Sequence, residues 1–159
     1  MSATKPTRFS WHVGHLRDLF VHKALVFREG RKLGVPLGQL LAHDLSKLSR
    51  GEYIPSVHFK YAPQPLSAED EAACDAGREL HWRRNGHHPE HWLGSGAGGQ
   101  PRPIEMPDRF RREMLADWRA VGRMKRLRTR PWYEGSFDAS ILHPATRAWI
   151  EQEIDRGGW

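Results

Sequence analysis

The chain is short of the residues from which sheets are built. Val, Ile and Thr together fill 15 of 159 positions, and no segment alternates apolar and polar residues with the period of two that a half-buried strand requires. Helical punctuation is plentiful instead. A first helix is predicted from about Ser10 to Gly30, with Trp11, Leu16, Leu19, Phe20, Val26 and Phe27 as its apolar positions. "GVPLG" breaks it, and Pro36 suits the first turn of a second helix running to about Leu48. Tyr53 to Tyr61 reads as a short, irregular aromatic segment. Ser67 opens a third helix, because "SAED" is a capping-box pattern that sets acids at the positive helix end. Pro107 starts a fourth, "PDRFRREMLADWRAVGR", and Pro144 a last one carrying Ala148, Trp149 and Ile150. The expected fold is all-α: one domain over residues 1–159, a bundle of five or six helices, with 1–9 flexible and 93–105 a Gly/Pro-rich loop.

Composition narrows the classes. Hydrophobic residues at 38% and charged residues at 28% suit a globular chain rather than a disordered one. No apolar run approaches the roughly 20 residues that span a bilayer, and "MSATKPTRFSW" has no apolar signal core, so a cytoplasmic location is expected. The single Cys74 rules out an internal disulfide and a thiolate zinc cluster. A net charge of +6 favours anionic partners. The basic residues are scattered, with only "GRMKRLRTR" clustered at 122–130, so a small phosphate-bearing substrate is favoured over nucleic acid. Self-association is left open.

The polar exceptions on the apolar helices carry the chemistry. In "LLAHDLSKL", His43 and Asp44 stand between Leu40, Leu41, Leu45 and Leu48. Burying an unpaired carboxylate is very unfavourable, so these two call for a compensating partner. His15, His22 and Val26 share a face of the first helix, and Asp117 falls on the stripe Phe110, Met114, Asp117, Val121. "HWRRNGHHPEHW" adds His81, His87, His88 and His91 within eleven residues. One such residue is normally a hydrogen-bonded core group; four segments carrying them point to a shared metal site. An aspartate beside a histidine can bridge two divalent ions, which acidify water and offset charge on a phosphoryl group.

"HDLSK" at 43–47 resembles the "HD-[hydrophobic]-[small]-K" signature of the HD-domain superfamily, whose pattern is H…HD…D, with H…HH added before the last D in binuclear members; the order here is His22, His43-Asp44, His81, His87-His88, Asp117. Over about 10–155 the chain is also similar to a family of small uncharacterised bacterial and phage proteins, through "HDLSKLSRGEY", "HWRRNGHHPEHW" and "MPDRFRREMLADW". The resemblance implies one metal on His22, His43, Asp44 and Asp117. It implies a second on Asp44 with two or three of His81, His87 and His88, where Gly86 and Pro89 leave room for an irregular backbone. Donors of nitrogen and oxygen fit one or two ions of Mn, Fe, Co or Ni ahead of Zn or Mg.

The implied activity is phosphohydrolysis of a nucleotide or other small phosphate ester; the alternative is a mixed-valent di-iron oxygenase with nearly the same ligands. Lys47, one helical turn after His43, is the expected substrate-contacting cation. Asp44, Lys47 and Glu52 form the expected catalytic set, with Glu52 as proton shuttle. Arg83, Arg84 and Asn85 are candidate substrate-binding residues. His15 is a candidate for orienting a ligand, and Trp82, Trp92 and Trp118 for walling a pocket.

Overall fold

A computed structural model describes residues 8–157. Its elements are α1 (Arg8–Lys32), α2 (Leu37–Ala42), α3 (Arg50–Tyr61), α4 (Ala68–Arg84), a short ribbon of β1 (Leu93–Ser95) and β2 (Pro101–Pro103), α5 (Asp108–Lys125), α6 (Thr129–Ser136) and α7 (Pro144–Gly157), with single 3-10 turns between them. The protein is predominantly α-helical, as its lack of strand-forming residues dictates. α1 lies along α5, α3 pairs with α4, and α6 and α7 pack on α5. No helix among the described residues is long and apolar enough to cross a membrane.

Several expectations need correction. The described residues hold seven α-helices rather than five or six. The aromatic segment after Glu52 is not irregular: it is α3, which tolerates Pro55 in its interior. Proline removes one helical hydrogen bond, but α4 packs closely enough to compensate. A side chain at Gly77 would run into Pro55 at 2.8 Å, and the Pro55 carbonyl accepts a hydrogen bond from Cys74 Sγ. α6 follows the basic cluster and has Pro131 in its first turn, which hid it. Of the stretch expected to be flexible at 1–9, residues 8 and 9 begin α1, and 1–7 lie outside the described residues. The loop at 93–105 contains the antiparallel β1–β2 ribbon, with Leu93 opposite Pro103. Ser67 does cap α4, its hydroxyl accepting from the Asp70 N–H.

The largest correction concerns the leucine run. The second helix does not continue to Leu48. It stops at Ala42, Asp44 adopts left-handed backbone angles (φ 58°, ψ 16°), and a 3-10 turn spans Leu45–Leu48. Lys23 of α1 makes the break by donating to the carbonyls of Leu41 and His43, each at 2.7 Å, so the helix end has partners for its free acceptors. The break also turns the leucines outward. Leu40 is buried, but Leu41, Leu45 and Leu48 are 60%, 52% and 58% exposed.

The apolar core gathers Val26, Leu33, Val35, Leu40, Met106, Met114, Leu115, Ala116, Ala120, Tyr133, Leu142, Ile150 and Ile154. Much of it lies on α5 and α7. α5 also reaches a very different interior, built from histidines and carboxylates.

Candidate metal centre

Asp44 is the hub of that interior. A non-glycine residue with positive φ carries strain that persists only where its surroundings impose it. Here the turn swings the Asp44 carboxylate inward while His43, just before it, faces the same space. Oδ2 lies 3.5 Å from His43 Nε2 and 3.6 Å from His22 Nε2. Oδ1 lies 3.3 Å from His81 Nε2 and 3.4 Å from His87 Nε2. One carboxylate therefore addresses two histidine groups through its two oxygens.

Each group is extended by a further residue. His22 Nε2 is 3.3 Å from His43 Nε2 and 3.0 Å from Asp117 Oδ1. His88 Nε2 is 2.9 Å from His81 Nε2. All seven sequence-predicted ligands, His22, His43, Asp44, His81, His87, His88 and Asp117, thus come together. Both histidines of the "HH" pair reach the centre because the backbone there is a loop between α4 and Pro89, anchored by Trp92 Nε1 donating to the Gly86 carbonyl at 2.7 Å.

Two carboxylates outside the cluster fix the rings. His43 Nδ1 donates to Glu113 Oε1 at 2.8 Å, and His81 Nδ1 to Glu52 Oε2 at 2.7 Å. An ionised carboxylate only accepts, so each Nδ1 carries a proton, and in the neutral ring Nε2 is the acceptor that faces the centre. Glu113 is held by Gln39 Nε2, and Glu52 by Ser46 Oγ and Arg84. Glu113, His43 and His87 also cluster, but the Glu113 oxygen meets the Nδ1 atoms, at 2.8 and 3.6 Å, in hydrogen-bond fashion.

The electrostatics favour charged carboxylates at Asp44 and Asp117 and a neutral ring at His88. Burial alone would push the Asp44 carboxyl up; Lys47 first, then His43 and the facing His81 and His87 rings, outweigh it and hold the group well below its ordinary value. Asp117 is depressed in the same way against burial, chiefly by His22. Burial and the neighbouring His87 hold His88 well below the usual imidazole value, so it is neutral. Asp44 Oδ1 and His87 Nε2 are nonetheless buried without any hydrogen-bond partner. Buried polar atoms of this kind are rarely left unpaired. A set of imidazole Nε2 atoms and carboxylate oxygens converging on such atoms fits a cation, and two overlapping groups can hold one: His22, His43 and Asp44, and Asp44, His81, His87 and His88.

The centre opens into a cleft of about 580 Å³ lined by Asp18, Leu19, His22, Lys47, Lys60, His88, Asp117, Val121, Met124 and Lys125. Lys47 donates to Asp44 Oδ2 at 2.6 Å. It does so from the 3-10 turn, three residues on, and not from one turn of a continuous helix after His43. Burial and the charges of Lys47 and Lys125 lower the Lys60 ammonium, with Asp18 opposing them. Glu52 stands behind His81 and does not line this cleft. Neither do Arg83, Arg84 and Asn85. Arg84 pairs with Glu52 at 3.1 Å, and Asn85 donates to Ser46 Oγ and the His81 carbonyl, each at 2.8 Å.

Other candidates have separate partners. His15 contacts no ligand ring but meets Tyr53 edge-on. His58 pairs with Asp70, His91 with the Arg83 carbonyl, and His143 accepts from Ala145 N at the start of α7. Sequence reasoning missed Glu113, although it sits one helical turn before Asp117 on α5. It also missed Lys60 and Lys125, which have no local signature.

Fold and site together define an all-helical protein with a buried His/Asp/Glu cluster able to hold a metal. The chain belongs to the family described as "Family of unknown function (DUF5662)", which matches residues 12–156. That span includes every ligand of the cluster and carries no HD-domain assignment. No curated protein and no solved structure matches the chain.

Proposed function

We propose that this protein is a metal-dependent phosphohydrolase of the HD-domain type, acting on a nucleotide or another small phosphate ester. The supporting observation is the position of Asp44: its two oxygens face separate histidine groups, and one member of each, His22 and His88, lines a cleft that also presents Lys47, Lys60 and Lys125. His22, His43, Asp44 and Asp117 would hold one divalent ion, and Asp44, His81, His87 and His88 a second, with Mn, Fe, Co or Ni best matched to the donors. When bound, such ions supply Lewis acidity, acidifying water and offsetting phosphoryl charge.

The chain's own groups do the rest. Glu113 and Glu52 hold His43 and His81 in the tautomer that presents Nε2 to the centre. Lys60 and Lys125 draw an anion into the cleft. Lys47 bridges the Asp44 carboxylate and the cleft, so a phosphoryl oxygen entering there meets a cation already fixed in place.

The test is phosphate release from nucleoside monophosphates, nucleoside triphosphates and an aryl phosphate with Mn, Co or Ni, run anaerobically and in air. Equal turnover in both, lost in Asp117→Ala and reduced in Lys47→Ala with metal content retained, is the expected result. Turnover only with ferrous iron and O₂ replaces this reading with a di-iron oxygenase. Silence across the screen in fully metallated protein removes it.

A further inference from the structure

Beside the cleft lies a second concavity, of about 230 Å³, lined by Trp118, Val121, Gly122, Lys125, Leu127, Arg128, Thr129 and Trp132. Val121 and Lys125 line both spaces. The pocket exists because α5 ends in a sharp reversal. Arg126 takes left-handed angles (φ 55°, ψ 34°), its N–H bonds back to Arg123, and the Leu127 N–H bonds back to Gly122 at 2.8 Å. This Schellman arrangement folds Leu127, Arg128 and Thr129 back over the last turns of α5. It requires glycine at 122, since a Cβ there would sit 2.8 Å from the Leu127 carbonyl oxygen.

The walls have a specific chemistry. Trp118 and Trp132 meet edge to face, centroids 5.1 Å apart at 70°, so the pair offers indole surface in two orientations. Val121 and Leu127 complete an apolar wall, and Leu127 is 54% exposed with no core role. Lys125, Arg128 and Thr129 supply donors. The volume falls below the roughly 300 Å³ that a whole drug-sized ligand fills, so the space suits one part of a larger molecule. Trp118 directly follows Asp117 on α5, which places the pocket one residue from the metal cluster.

Resting on the phosphate-ester reading above, we infer that this pocket is the subsite for a flat aromatic group carried by the ester whose phosphate occupies the lysine-lined cleft. The aromatic ring stacks on indole between Val121 and Leu127, the linking atoms cross Val121, and Arg128 and Thr129 meet polar atoms at the ring edge. Stacking of this kind is sequence-tolerant and readily measurable. Specificity then has two sources: the cleft reads charge, and the Schellman turn of α5 reads the ring.

The experiment measures binding rather than turnover, by calorimetry on Mn-loaded protein with inorganic phosphate, propylphosphonate and 1-naphthylmethylphosphonate, which are not hydrolysed. The naphthyl compound should bind about tenfold more tightly than the propyl compound, as one aromatic stack provides. Trp132→Leu, which removes the stacking face, and Leu127→Trp, which fills the pocket from an exposed position, should each erase that advantage while leaving the affinity for inorganic phosphate unchanged. An equal affinity for the two phosphonates in the wild-type protein, or an advantage that survives both variants, overturns the subsite while leaving the phosphate site standing. If inorganic phosphate and both phosphonates all fail to bind, the phosphate-ester reading falls and takes the subsite with it.

Discussion

α5 contributes to two interiors built from different materials. Its Met114, Leu115, Ala116 and Ala120 join an apolar cluster with Tyr133, Ile150 and Ile154. Its Glu113 and Asp117, one helical turn apart, enter a nest of His22, His43, Asp44, His81 and His87. The apolar side gains stability from removing surface from water, with no need of a bound ion. The polar side is stable only when every charge has a counter-charge. Asp44 Oδ1 and His87 Nε2 show that the protein groups alone leave that balance unfinished. One side therefore keeps the helices together, and the other makes part of the fold answer to its ligands.

The sharpest way to break this comparison is to damage the apolar side. Ile150→Ala opens a cavity beside Met114 and Leu115 and should lower unfolding stability by about 2–5 kcal/mol. Chemical denaturation with Mn and with a chelator should show the same loss, because Ile150 belongs to the apolar core and not to the cluster. A loss confined to the Mn-loaded protein would mean that the two sides are not separable.

Metal removal probes the other side. An ion present at roughly 100–1,000 times its dissociation constant stabilises the native state by about 3–4 kcal/mol. Chelation should therefore lower Tm and raise amide exchange in α2, α3 and α4, while α7 keeps its protection. Uniform loss of protection across both sides would merge the two regions into one cooperative unit.

Glu113→Gln sharpens the boundary further, since Glu113 belongs to the helix shared by both sides. It keeps the shape but weakens acceptance of the His43 Nδ1 proton, and metal affinity should fall about 10–100-fold. Apo-protein stability should change less than in Ile150→Ala. The measurement is a competitive metal titration alongside denaturation of the apo form.

The smallest effect concerns His15, buried with neither ring nitrogen hydrogen-bonded. Burial, then Lys60 and Lys47, lower its pKa from 6.5 to about 4. A base whose folded pKa is depressed binds its proton more readily when unfolded. Its contribution is thus intact above pH 6.5 and is lost as pH falls from 6.5 towards 4. At pH 5 the penalty is about 2 kcal/mol. His15→Leu should flatten the acid limb of the stability curve across that window. A limb unchanged in the variant would assign it to other groups.

The sequence showed the ligands more clearly than their setting. His22, His43-Asp44, His81, His87-His88 and Asp117 stood out as polar residues in apolar or border positions on separate segments, and their convergence was legible from the pattern. The backbone at Asp44 was not. A leucine-rich run with helical spacing conceals a break that depends on Lys23, twenty residues away, capping the His43 carbonyl. Arg84 and Asn85 looked like free donors by composition but are consumed by Glu52, Ser46 and the His81 carbonyl. Lys60 and Lys125 became cleft residues only through the packing of α3 and α5 around it. Local chemistry could be read; chain reversals and borrowed partners could not.

The cluster also sets an order of assembly. Glu52 and His81 are 29 residues apart, within the α3–α4 pair, whereas His43 and Glu113 are separated by 70. Contacts across short loops are reached early and those across long ones late. The α3–α4 pair can thus present His81 before α5 arrives with Glu113 and Asp117. An ion captured at that stage would pin the first segments and give α5 a charged template on which to dock. On the proposed metal-dependent reading, metal supply during synthesis would then be a determinant of how many chains reach the native state.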